Sequence, residues 1–106
     1  MKSVAVFVAV LASLYANVAD AVDGVDVSSA VMPSTWSCLK QHSYTFAIIR
    51  CYRSTGSPDP NCPHTIYNAW AGGMNYVDAY FFPDFRKGNP AGQVRDMGAS
   101  SMRFLE

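Results

Sequence analysis

The fold of this chain is most constrained by a repeated alternation of short apolar runs with segments that carry helix signals. The apolar runs lie at residues 24–28, 45–50 and 76–82. Each run carries a charged side chain at or near its end, and these belong to Asp26, Arg50 and Asp78. Strands that alternate with helices favour parallel pairing through crossover connections. A β/α barrel mounts its active site on strand ends in this way.

The length of the chain limits how much of a barrel it can form. A complete barrel has eight strand–helix units and typically about 250 residues, whereas this chain has 106. The pattern therefore predicts an α/β fold that is a partial (β/α)8 TIM-type barrel, with about three βα units and parallel strands. We place this portion at residues 22–98 and an unpatterned C-terminal tail at residues 99–106.

Three helices are expected beside these strands, because each has recognisable end signals. Their predicted limits are Ser34 or Thr35 to Gln41, Thr65 to Gly72-Gly73, and Asn89-Pro90 to Gly98. Residues 54–63 contain three prolines and a glycine. This composition predicts a loop between the second strand and the second helix.

The first 21 residues have the features of a secretory signal peptide. Lys2 provides the basic start and residues 4–14 the apolar stretch, and cleavage after Ala16 or Ala21 fits the small-residue rule. The apolar stretch is shorter than the roughly 20 residues that span a membrane. We therefore expect a secreted, extracellular protein without a stable membrane anchor.

Charge and metal-ligand spacing exclude several classes of function. Eight basic and eight acidic residues give a formal net charge of zero, so binding to nucleic acid is not expected. His42 and His64 do not have zinc-site spacing and are interpreted as surface or capping residues. Trp36 and Trp70 lie on apolar helical stripes and are expected in the core. No cofactor and no metal are predicted.

The chain has an odd number of cysteines after the predicted signal. These are Cys38, Cys51 and Cys62, and an oxidising compartment favours their pairing. Cys51 with Cys62 would close a short loop, but a pair from Cys38 to either is equally open. Each of these pairings leaves one thiol unpaired. That thiol and the unpaired sheet edges both favour formation of an oligomer.

Three charged residues at strand ends are candidates for the functional site. Asp26 is either an active-site carboxylate or a strand-end turn residue, and Arg50 either orients carboxylates in the pocket or is a solvated strand end. Asp78 interrupts an apolar run, where an unpaired charge is costly. We expect it to face a polar pocket or to pair with Arg50.

Three further residues are candidates for substrate binding. Tyr80 and Phe82 share a strand face with Asp78 and either stack on a sugar ring or belong to the core. Asp59 lies in Pro58-Asp59-Pro60 and either holds the loop by hydrogen bonds or serves only the turn.

Several motifs occur in a specific order along the chain: GVDVSSA, SYTFAIIRCYRS, Asp59, Asn68-Ala69, AGGMNYVDAYFFP and GNPAGQV. Together they resemble the glycoside hydrolase family 25 lysozymes, in their secreted animal branch. The similarity extends from about Val22 to Asp96, and it covers an N-terminal portion of such an enzyme.

The resemblance implies a barrel enzyme that cleaves the β-1,4 bond between N-acetylmuramic acid and N-acetylglucosamine in bacterial peptidoglycan, for digestion or antibacterial defence. It also implies a catalytic role for Asp26, which matches the family's aspartate at the end of the first strand. The family's main carboxylates come from a D-x-E pair at the end of the fourth strand. No such motif occurs here, and the only glutamate is Glu106.

The missing motif bears on activity because glycoside hydrolysis needs two carboxyl groups about 5–9 Å apart. The sequence therefore predicts a lysozyme-like chain that is truncated before the catalytic acid and has little activity by itself. The alternative is a secreted, non-catalytic remnant that binds wall glycans through Asp78, Tyr80 and Phe82, or an inactive fragment.

Overall fold

A computed structural model of the chain describes residues 22–101. Within these residues, four strands form an open sheet and three helices accompany it. In chain order the elements are β1 (Asp23–Val27), α1 (Pro33–Gln41), β2 (Tyr44–Arg53), β3 (Ser57–Pro58), α2 (Cys62–Ala71), β4 (Tyr76–Phe81) and α3 (Pro90–Ser101). The signal peptide predicted at residues 1–21 lies outside the described residues.

The long strand β2 is the centre of the sheet. It pairs in parallel with β1 and with β4, as predicted, and antiparallel with the two-residue β3. Tyr52 pairs with both Pro58 and Phe81, so β3 and β4 flank opposite edges of β2. The protein is thus a mixed α/β structure, and the stretch at residues 54–63 is not only a loop, because it contains β3.

One face of the sheet packs against the helices and forms the core. Strand side chains alternate between faces, and alternate residues of the three long strands pack on this side: Val25, Val27, Ala47, Ile49, Cys51, Val77 and Ala79. From the helices and the turn after α2 they meet Trp36, Ile66, Ala69 and Met74, all of which are buried. The sequence prediction is confirmed for Trp36, whereas Trp70 is 38% exposed.

The first two helices begin beside prolines and not at the hydroxyl side chains that the sequence offered as caps. Helix α1 starts at Pro33 and α2 at Cys62, each with proline in the first two positions, where its missing N–H costs no hydrogen bond. The predicted caps Ser34, Thr35 and Thr65 were wrong, because all three lie inside helices.

The third helix begins where the sequence predicts but ends later. The side-chain oxygen of Asn89 accepts a hydrogen bond from the N–H of Gly92 at 3.2 Å, and Pro90 is the first helical residue. Gly98 does not end the helix, which continues through Ser101. One interior glycine costs about 1 kcal/mol of helix propensity, and the neighbouring Met97 packs against the core.

A disulfide links the central strand to the second helix. Cys51 at the carboxyl end of β2 bonds Cys62 at the start of α2, with Cα atoms 5.0 Å apart, which is one of the pairings the sequence left open. Cys38 is exposed and forms no disulfide within the described part of the chain. No helix among residues 22–101 is long and apolar enough to cross a membrane.

Candidate functional site

The sheet face opposite the helices, which we call the open face, carries the predicted acidic residues. Asp26 of β1 and Asp78 of β4 both lie beside Ile48 of β2 in the strand register. Neighbouring strands are about 4.8 Å apart, so the two aspartate backbones are separated by roughly 10 Å. The structure therefore brings Asp26 and Asp78 to one level of one face.

Both carboxylates of the open face are exposed to solvent. Among residues 22–101, Asp26 has no hydrogen-bond or ion-pair partner, and Asp78 accepts a hydrogen bond only from the N–H of Ala79, at 2.8 Å. Asp78 borders a hollow of about 610 Å³. The sequence predicts that Asp78 faces a polar pocket, but the other side chains around this hollow are largely apolar: Val22, Phe46, Ala47, Ile48, Tyr76 and Val77.

Arg50 pairs with Asp59 and not with Asp78. Its Nε lies 2.9 Å from Oδ2 of Asp59, and its terminal nitrogen donates to the carbonyl of Ser28 at 3.1 Å. Asp59 is only 3% exposed, and its Oδ1 accepts a hydrogen bond from the N–H of Asn61 at 3.0 Å. Of the two roles that the sequence left open for Asp59, these contacts agree with the one in which it holds its loop by hydrogen bonds.

The two aromatic candidates lie in different surroundings. Tyr80 is half-buried beside Arg50 in the strand register. Phe82 lies one residue beyond β4, where its N–H donates to the carbonyl of Tyr52 at 3.1 Å, and its side chain is 49% exposed. Between them, Phe81 contacts the ring of Tyr52, with centroids 5.0 Å apart.

The loop from residue 82 to residue 89 is bonded to helix α3 through a buried polar pair that was not predicted from the sequence. Asp84 and Gln93 are buried. The Gln93 amide accepts from the N–H of Asp84 at 2.9 Å and donates to the carbonyls of Asp84 and Gly88 at 3.1 and 2.6 Å. The available signal was an acidic residue three positions after a strand end, in the kind of loop where barrel enzymes concentrate function.

Asp84 is also the acidic residue of this loop. Burial opposes its ionisation, but the backbone and side-chain N–H groups of Arg86, with the N–H of Lys87, outweigh it and hold the pKa of Asp84 below its ordinary value of 3.8. The side chain of Lys87 donates to the carbonyl of Gly56 at 3.0 Å. The loop is thus held both by its own residues and by Gly56 and Gln93 outside it, while Phe85 is 85% exposed.

The remaining ionisable residues do not form a metal site. No group of three or more His, Cys, Asp or Glu side chains within the described residues could hold a metal ion. His42 follows α1, and its Nδ1 lies 2.8 Å from the carbonyl of Cys38, which agrees with a capping role. His64 is exposed.

Comparisons with known proteins agree on one family. A family model described as "Lysozyme-like protein 1" matches residues 17–102. A Dictyostelium discoideum protein named "Probable GH family 25 lysozyme 2" is 50% identical over 93 residues, which are 86% of this chain and 44% of that protein. A second protein of that organism, "Probable GH family 25 lysozyme 5", is 46% identical over 82 residues, or 77% of this chain and 38% of its own length.

A nematode protein is similar over a shorter stretch. "Lysozyme-like protein 5" of Caenorhabditis elegans is 41% identical over 61 residues, which are 58% of this chain and 28% of that protein. The chain thus spans less than half the length of these curated relatives. No solved structure matches it.

Proposed function

Because this chain belongs to the lysozyme-like family of glycoside hydrolase family 25, for which a carbohydrate substrate is implied, we propose that it is part of a secreted lysozyme. The proposed substrate is bacterial peptidoglycan, cut at the β-1,4 bond between N-acetylmuramic acid and N-acetylglucosamine. The proposed role is digestion or antibacterial defence. Its three parallel strands and helices are proposed to form the first units of a (β/α)8 barrel.

The observation that carries this proposal is the placement of Asp26 and Asp78 on either side of Ile48 on the open face. Their backbones are roughly 10 Å apart, from the strand spacing. Carboxyl groups that cleave a glycosidic bond are about 5–9.5 Å apart, a separation that side chains on the two strands beside β2 can reach if the sheet curves toward this face. Asp26 is proposed as the catalytic carboxylate, which orients the sugar or the nucleophile.

The other candidate residues, on the open face and in the loops beside it, are proposed to bind the glycan. Tyr80 and Phe82 offer apolar surfaces on which sugar rings pack, and Asp78 accepts hydrogen bonds from hydroxyl groups. Arg50 and Asp59 neutralise each other at 2.9 Å, so their contribution to binding is made through the loops that they hold.

A second function, glycan binding without catalysis, is favoured by the exposure of the acidic residues. A general acid for this reaction keeps its proton at neutral pH because it is shielded from water. Asp26 and Asp78 are both exposed, and the sequence has no D-x-E motif. A protein that bound wall glycans through this face would not need such an acid.

The deciding experiment is loss of turbidity of a bacterial wall suspension, run beside a pull-down with insoluble peptidoglycan. Lysis by the chain supports the enzyme, and binding without lysis supports the second function. If a folded sample shows neither lysis nor binding, both proposed functions are contradicted.

The matched variants are Asp26→Asn and Asp23→Asn. Asp23 is an exposed aspartate at the other end of the same strand. If the enzyme proposal is correct, Asp26→Asn lowers lysis at least tenfold with an unchanged melting temperature, and Asp23→Asn leaves lysis intact. Equal lysis by the two variants would exclude a catalytic role for Asp26.

A further inference from the structure

We infer that Arg50 and Asp59 are positioning residues, which hold the chain segment that follows Asp26 at a fixed place above the open face. This inference rests on the proposed role of Asp26. It is carried by a continuous series of contacts that runs from the disulfide, through Asp59 and Arg50, to Ser28.

The first step is the anchoring of Asp59. The disulfide fixes Cys51 to Cys62, and the backbone of Asp59 bonds both: its N–H donates to the carbonyl of Cys51 at 3.0 Å, and its carbonyl accepts from the N–H of Cys62 at 3.1 Å. Oδ1 of Asp59 also accepts from the N–H of Asn61 at 3.0 Å. Asp59 is therefore held by three hydrogen bonds, of which one is made by its carboxylate.

The second step is the pairing of Arg50 with this fixed carboxylate. Asp59 is 3% exposed, and a buried carboxylate without its partner is strongly unfavourable. Oδ2 therefore keeps Nε of Arg50 at 2.9 Å. The guanidinium is planar and rigid, so fixing Nε also fixes the direction of its terminal nitrogens.

The third step reaches the strand that carries Asp26. The ladder between β1 and β2 ends at Val27, and Ser28 lies in the bend that follows. A terminal nitrogen of Arg50 donates to the carbonyl of Ser28 at 3.1 Å. This bond continues the attachment of β1 to β2 for one residue past the ladder, two residues from Asp26.

The arrangement requires arginine at this position. One side chain spans two acceptors, a carboxylate in one loop and a carbonyl in another, through separate nitrogens. Lysine has a single ammonium nitrogen on a flexible stem, which does not bridge two acceptors in a fixed direction. Arg50→Lys therefore keeps the charge beside Asp59 and loses the hold on Ser28.

The test measures backbone order in the full chain by ¹⁵N relaxation, at Ser28 and Ser29. The variants are Asp59→Asn and Arg50→Lys. The control is Asp84→Asn, which removes a carboxylate from the other ion pair of the described residues, Asp84 with Arg86. Order parameters of about 0.85 are typical of rigid backbone, and values below about 0.6 are typical of flexible backbone.

We expect the order parameters of Ser28 and Ser29 to fall toward the flexible range in both variants and to stay unchanged in the control. Arg50→Lys serves as the second variant because it keeps a cation beside the buried carboxylate. Unchanged order parameters in Arg50→Lys, or an equal fall in the control, would overturn the inference.

The peptidoglycan pull-down separates this inference from the proposed function. If the unmodified chain neither binds nor cuts wall glycans, the proposed function fails, and the order parameters still decide whether Arg50 holds Ser28. If it binds, we expect Arg50→Lys to weaken binding about tenfold, the size of one lost charge-assisted hydrogen bond. If Ser28 becomes flexible in Arg50→Lys and glycan binding is unchanged, the inferred link between Arg50 and the binding site is overturned.

Discussion

The two faces of the sheet differ in composition, although they are built from the same three long strands. The covered face carries small and branched apolar residues, which pack on Trp36 and Ile66. The open face carries Asp26, Phe46, Ile48, Arg50, Tyr76, Asp78 and Tyr80. Because strand side chains alternate in direction, one strand sequence contributes to stability on one face and to chemistry on the other.

The difference shows that replacing a residue is expected to have different consequences on the two faces of this sheet. A residue of the covered face has its neighbours on all sides, so its replacement changes the free energy of unfolding. A residue of the open face has solvent on one side, so its replacement is expected to change ligand binding more than stability.

The largest expected effect is the loss of a core side chain on the covered side. Trp36 is fully buried, so Trp36→Ala is expected to reduce the free energy of unfolding by about 3–5 kcal/mol. Tyr76→Ala, on the open face at 69% exposure, is expected to change it by about 0.5 kcal/mol at most. Urea denaturation measures both, and similar losses would remove the distinction between the faces.

The next effect compares one substitution at two glycines. A Cβ at Gly72 would overlap the Cβ of Trp36 and press on the carbonyl of Pro33, and neither can move without shifting α1. A Cβ at Gly24 would overlap only the ring of Phe46, which is half-exposed and can rotate.

We therefore expect Gly72→Ala to lose about 3 kcal/mol and Gly24→Ala about 1 kcal/mol, the two ends of the range for overpacking. The measurement is again the urea midpoint. A larger loss at Gly24 would mean that the open face is packed as tightly as the covered face.

A smaller effect is expected on affinity alone. Tyr80→Ala is expected to weaken binding to insoluble peptidoglycan about tenfold, or about 1.4 kcal/mol, through loss of an aromatic contact surface. The melting temperature is expected to change little, because Tyr80 is only half-buried. Unchanged affinity with a large drop in melting temperature would assign Tyr80 to the core.

The smallest effect concerns pH and the loop after β4. The pKa of Asp84 is lowered in the fold, so its ionised form stabilises the protein above the ordinary value of 3.8. This contribution is lost as the pH falls from that value toward the lower folded pKa. Asp84→Asn should therefore flatten the acid side of the stability curve, measured by urea midpoints at about pH 5 and about pH 3. An equally steep acid side in the variant would contradict this.

The fold was largely predictable because its signals are local. The alternating valines of β1, the aromatic and branched residues of β2, and Asn89-Pro90 at the start of α3 all act on their own segments. The predicted helix caps failed for a related reason. A proline in the first turn fits the helix start without a side-chain cap, and both α1 and α2 begin in that way.

The site was predictable only in part. Asp26 and Asp78 were candidates from their places in the strands, and the register brings both beside Ile48. The partner of Arg50 was not predictable, since Asp59 approaches it through a loop held by the disulfide. The burial of Asp84 against Gln93 also depends on how the β4–α3 loop returns to the sheet.

The sequence by itself determined the order of strands and helices, the two-residue alternation that divides each strand between two faces, and the family to which the chain is related. These properties depend on neighbours within a few residues or on the order of motifs. Only the tertiary structure decided which cysteines pair, which carboxylate meets Arg50, and which acidic residues remain exposed. Those outcomes depend on contacts between residues distant in the chain, and their geometry exists only after the sheet has formed.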